Sequence, residues 1–116
     1  MTEELPQWRV LFYTDARNRS PVLEFLNRLT AQERAEAENC FRLLREFGTL
    51  LGMPHARPIS GHAGLWELRP GPNRIFYFAH VGRRFVMLHA YRKKGQKAPA
   101  REIALAEKRM LEVQED

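Results

Sequence analysis

A chain of 116 residues, 44% hydrophobic and 28% charged, is enough for one domain with a modest core. These figures exclude two independently stable domains and a disordered tail, and no apolar run approaches the ~20 residues of a membrane-spanning helix. The net charge of +5 is unevenly placed: residues 1–65 set eight Lys/Arg against eight Asp/Glu, residues 66–97 set eight against Glu67 alone for +7, and residues 98–116 set three against five for −2.

In chain order, Met1 to Pro6 carries Glu3 and Glu4 where a secretory leader would place positive charge before an apolar stretch. Trp8 to Tyr13, aromatic and β-branched, reads as a first strand. Ser20-Pro21 places a capping hydroxyl before a first-turn proline, and Val22, Phe25, Leu26 and Leu29 form a helical stripe. Thr30 and Glu33 have capping-box spacing, and the apolar stripe from Cys40 through Leu43, Leu44 and Phe47 predicts a second helix running to Leu51, ended by Gly52 and Pro54.

Met53 to Gly64 is rich in Pro, Gly and His and reads as a loop, or a loop with a short strand. Leu65 to Leu68, Ile75 to Val81 and Phe85 to Tyr91 are separated by short turns and predict an antiparallel meander. Pro99 opens a last helix with Ile103, Ala106, Met110 and Val113 on one stripe. The order β-α-α-β-β-β-α implies a single α+β domain over residues 1–116, with a four-stranded, mainly antiparallel sheet and the helical hairpin on one face. Period-two alternation then puts Glu67 with Arg69, Arg74 with Phe76, Phe78 and His80, and His89 with Met87 and Tyr91, on shared faces. The opposite face is expected to stay partly open.

A basic block beside near-neutral flanks is the electrostatic footprint of a polyanion-binding face, so nucleic acid is the first partner to consider. Metal chemistry finds no support in the spacing of His55, His62, His80 and His89, and no cofactor is expected. Phosphate-loop, dinucleotide and serine-hydrolase motifs are missing, and the glycines are scattered turn formers. Cys40 has no second cysteine to pair with, which points to a buried small hydrophobe in a reducing cytoplasm. Trp66, Phe76 and Phe78 read as core, whereas Tyr77 and Tyr91 are the better platforms for stacking bases.

The strings Leu-Trp-Glu-Leu-Arg-Pro at 65–70, Arg-Ile-Phe-Tyr-Phe at 74–78, Leu-His-Ala-Tyr-Arg-Lys-Lys at 88–94 and Pro-Ala-Arg-Glu-Ile at 99–103 together resemble the RelE/HigB superfamily of bacterial toxins, in particular its phage-derived HigB-like branch. The resemblance implies the same element order and a messenger-RNA endonuclease, often acting on the ribosome and silenced by an antitoxin protein, expected to be of helix-turn-helix type. It assigns the catalytic group to Arg69, Arg74, Lys93, Tyr91 and His89. RNA contacts fall to Glu67, Arg92, Lys94, Lys97, Tyr77, Arg83 and Arg84, with Glu67 orienting or neutralising Arg69. Many relatives carry Thr where Gly95 and Ala98 stand, and the late Tyr of some relatives has no counterpart after Lys97, so Tyr91 or a His inherits any acid role. In the helix-to-strand loop, which holds His55, Arg57 and His62, the match is poor. Two other readings stay open: a ParE-like toxin that poisons DNA gyrase by binding, and a catalytically silent RNA-binding relative.

Overall fold

The computed structural model describes residues 7–115, so the leader reading of Met1 to Pro6 lies outside the described residues. Five strands, β1 (Arg9–Phe12), β2 (Ala56–Pro58), β3 (Trp66–Leu68), β4 (Asn73–His80) and β5 (Arg84–Arg92), form one sheet in the order β1-β5-β4-β3-β2. The helices are α1 (Pro21–Asn27), α2 (Ala31–Phe47) and α3 (Ala100–Glu115). All neighbours pair antiparallel except β1, which joins β5 in parallel because the α1–α2 hairpin returns the chain to the same end of the sheet.

The fifth strand corrects the four-strand expectation. Ala-Arg-Pro is too short to show a period and ends in a residue with no N–H, so only its pairing with β3, Ala56 opposite Leu68 and Arg57 opposite Glu67, makes it a strand.

Local chemistry sets the helix ends. The Ser20 hydroxyl accepts from the Leu23 amide at 3.3 Å with Pro21 in the first turn, and the Thr30 hydroxyl accepts from the Glu33 amide at 3.2 Å. The second helix stops at Phe47, four residues before the predicted end, and a 3₁₀ turn covers Gly48–Leu50. Gly48 lies at φ +59, and a Cβ there would stand 2.3 Å from Trp8 Nε1, so the chain leaves the helix at the one residue that admits both the backbone and the indole.

The core has two layers. Val22, Leu26, Phe41 and Leu44 from the hairpin pack on Leu68, Ile75, Tyr77, Phe85 and Met87 of one sheet face. Each large buried side chain contributes roughly 1.5–3 kcal/mol. Cys40 belongs to this layer, its thiol pushed up to about 11, chiefly by burial. On the other face α3 lays Ile103, Ala106, Met110 and Val113 over Phe76, Phe78, Val86 and Leu88, so the open part of that face shrinks to its β2–β3 side.

A β-bulge corrects the alternation on β5. Phe76 faces His89 while Tyr77 faces Met87, which leaves Leu88 as the extra residue. Leu88 joins the α3 layer and His89 bonds to α3 side chains, whereas Met87 turns to the hairpin core and does not share a face with His89 and Tyr91.

Candidate nucleic-acid interface

Strand β3 sends Trp66 and Leu68 into the hairpin core, so the intervening Glu67 must emerge on the α3 side, where it is 1% exposed. One of its oxygens, Oε1, accepts from Arg57 Nε at 3.0 Å and from Arg69 Nη1 at 2.7 Å, with Arg74 Nε at 3.9 Å. Three guanidinium groups around one carboxylate leave a local excess of two positive charges.

Arg74 is fixed further by donating Nη1 to the carbonyls of Gly71, at 2.8 Å, and Asn73, at 2.7 Å. Burial, then the adjacent Arg69 charge, lowers its pKa from the ordinary arginine value. Gly71, at φ +55, forms the turn that brings Arg69 and Arg74 to neighbouring strand ends. Crowded like charges beside a buried carboxylate form an anion trap whose donors are aligned before any ligand arrives.

Tyr91 stands opposite Arg74 in the β4–β5 register, its ring 5.5 Å from Phe76 and 6.2 Å from His89. Burial, with a further push from the Glu67 charge, raises its hydroxyl to about 12. At neutral pH it is therefore a donor.

His89 faces α3. Arg109 Nη1 lies 3.1 Å from its Nδ1 and also donates to the Leu88 carbonyl at 2.9 Å. A guanidinium only donates, so the imidazole proton sits on Nε2 and points to Glu102 Oε2 at 3.0 Å. Burial is the main cause that lowers the His89 pKa. The residue therefore anchors α3 to β5, the hydrogen-bonded role its strand position allows.

The remaining site residues separate into groups. Lys93, Lys94 and Lys97 are exposed on the connection to α3, with the Lys93 amide bonded to the Pro72 carbonyl at 2.9 Å, so the basic loop starts beside the Arg69–Arg74 turn. Arg92 alternates away from Tyr91 and pairs with Glu33 at 2.8 Å on the α2 side. Tyr77 corrects the stacking expectation: it is 3% exposed, edge-on to Phe85 in the hairpin core, and burial raises its pKa, so no base can reach it.

Arg83 and Arg84 occupy the β4–β5 tip, at the far end of β4 from Arg74, where the Arg83 guanidinium lies 5.9 Å over the Trp8 ring and Arg84 Nε donates to Val81. The structure does not bring them to the arginine cluster. It does bring in Arg57, which the sequence places only in a poorly matched loop where some relatives hold reactive groups, because cross-strand pairing is what puts it opposite Glu67. His62 is tied to Glu107 of α3 at 2.9 Å.

Residues 24–111 match the model of the phage-derived Gp49-like protein family (DUF891), and the chain belongs to that family, a toxin-like family of toxin–antitoxin systems. No curated protein matches the chain.

Proposed function

We propose that this protein is the toxin of a HigB-type toxin–antitoxin pair, an endoribonuclease that cuts messenger RNA, both free and on the ribosome. The observation that carries this reading is the convergence of Arg57, Arg69 and Arg74 on Glu67 Oε1, with the Tyr91 phenol adjacent. A phosphodiester placed against this excess positive charge meets preorganised donors, and Lys93 at the rim adds a point charge.

The RNA supplies its own nucleophile. As a basic side chain at the rim takes the proton of the 2′-hydroxyl and the 2′-oxygen attacks the adjacent phosphorus, negative charge grows on the phosphoryl oxygens, where Arg69, Arg74 and Lys93 stabilise it. The 5′-oxygen leaves with a proton from Tyr91, whose pKa of about 12 keeps it protonated until needed. The products are a 2′,3′-cyclic phosphate and a 5′-hydroxyl. Because the arginines neutralise the phosphate charge, the reaction needs no metal ion. His89, with Nδ1 facing Arg109 and Nε2 facing Glu102, holds the fold around Tyr91 and is not the base.

The partner is an antitoxin with a helix-turn-helix domain and an acidic or amphipathic segment that covers the arginine cluster. The test is to induce the protein in growing cells and map RNA ends. New 5′-hydroxyl ends within messages, lost in a folded Arg74→Ala variant, are expected. Growth arrest with DNA damage and no new RNA ends would replace this reading with gyrase poisoning, and no arrest at all would leave a silent RNA binder.

A further inference from the structure

Strand β2 is only three residues long and ends at Pro58, while the basic connection from β5 to α3 stands away from it. Between them, on the same side of the sheet as Glu67, lies a depression of about 420 Å³. We infer that this depression seats one unpaired RNA base beside the phosphodiester held by the arginines. The inference rests on the ribonuclease reading and adds the part of the substrate that the arginine cluster does not touch.

Its chemistry is that of a nucleoside. Pro58, Ile59, Ala98 and Ile103 offer apolar walls to the faces of a base. Gln96 and Ser60 sit on the rim, and an amide that both donates and accepts suits a base edge. A nucleoside within a strand has a phosphate on each side, and the depression carries a cation for each, Arg57 and Lys97. Arg57 also contacts Glu67 in the arginine cluster, so the two sites are contiguous through one side chain.

A volume of about 420 Å³ falls within the ~300–1,000 Å³ common for small-ligand sites. A larger cleft of about 720 Å³, between the end of β1 and the last turns of α3, is a poor rival: Asp15, Glu112 and Glu115 oppose His80 and Arg84 there, which repels a polyanion.

The full chain, labelled with nitrogen-15, is titrated with 2′-O-methyl trinucleotides carrying each of the four bases at the centre and with the same backbone abasic at that position. The methyl groups block cleavage. Amide shifts at Ile59, Ser60, Gln96 and Ile103 are expected with the base-bearing ligands only, with the best base bound about tenfold more tightly than the worst. Gln96→Ala, on an exposed loop, should bring the four affinities within about threefold of one another. Ile103→Trp, which fills the depression, should reduce every affinity to that of the abasic ligand in protein whose spectrum remains dispersed. Shifts confined to residues around Arg69 and Arg74, equal for abasic and base-bearing ligands, would overturn the pocket and leave the ribonuclease reading standing. No shift in either place would overturn both.

Discussion

The two ends of the sheet both carry arginines, yet they are built differently. At the β3–β4 turn, Arg57, Arg69 and Arg74 are drawn to a single buried carboxylate oxygen. At the β4–β5 tip, Arg84 turns to the Val81 carbonyl and Arg83 lies over Trp8, and the two do not converge on a buried carboxylate among the described residues. On the ribonuclease reading proposed above, the phosphate site is made by convergence on a buried counter-charge and not by positive charge alone, because convergence fixes donors in advance.

The sharpest way to break this comparison is truncation at each end. Arg74→Ala or Arg69→Ala should lower the RNA cleavage rate by about a hundredfold or more, the usual cost of one preorganised donor at a developing oxyanion. The check is single-turnover kinetics on a purified message. Next in size, Glu67→Ala removes the counter-charge and leaves three arginines crowded and unpaired. A loss of ~3 kcal/mol in urea denaturation is expected, as for breaking a buried ion pair from one side.

Gly48→Ala probes the other end. It forces a Cβ into the Trp8 indole at a positive φ, and ~2 kcal/mol of stability should be lost with RNA affinity unchanged in the folded fraction. A loss of affinity in the folded protein would mean that the tip communicates with the site.

His89 gives a smaller, pH-dependent effect. Burial holds its folded pKa below the ordinary 6.5, so the unfolded chain takes up the proton first as pH falls. Its contribution to stability is complete above pH 6.5 and is lost progressively below it, toward the lowered folded value. The urea midpoint should therefore decline from pH 7 to pH 5, and His89→Gln should make that decline shallower. The smallest effect belongs to Arg83→Ala and Arg84→Ala, whose cleavage rates should stay within about twofold of the parent, as for surface changes remote from a site.

The same contrast shows what could be read from residues alone. Element order apart from β2 followed from periodicity and caps, and Ser20, Thr30 and Pro21 behave as their chemistry requires. Glu67, Arg69 and Arg74 were legible because alternation along β3 and the flanking turn place them together. Arg57 stood out only as one of three candidates in a poorly matched loop and not as a partner of Glu67, since a three-residue strand has no pattern of its own and its partner lies ten residues on. Tyr77 misled because strand alternation names a face without saying which layer covers it, and the bulge at Leu88 shifted the faces of β5 in a way no composition reveals. The end of α2 was set by the Trp8 indole against Gly48, a contact between distant parts of the chain.

The most direct measurement is the salt dependence of RNA binding. With a non-cleavable 2′-O-methyl oligonucleotide, the slope of log affinity against log salt counts the phosphates neutralised, at roughly 0.7 per contact on a single strand. Arg74→Ala should make the slope shallower by about that amount, and Arg83→Ala should leave it unchanged. Equal slopes for the parent and Arg74→Ala, or a loss at Arg83 matching that at Arg74, would contradict the claim that the arginines gathered on Glu67 are the phosphate grip.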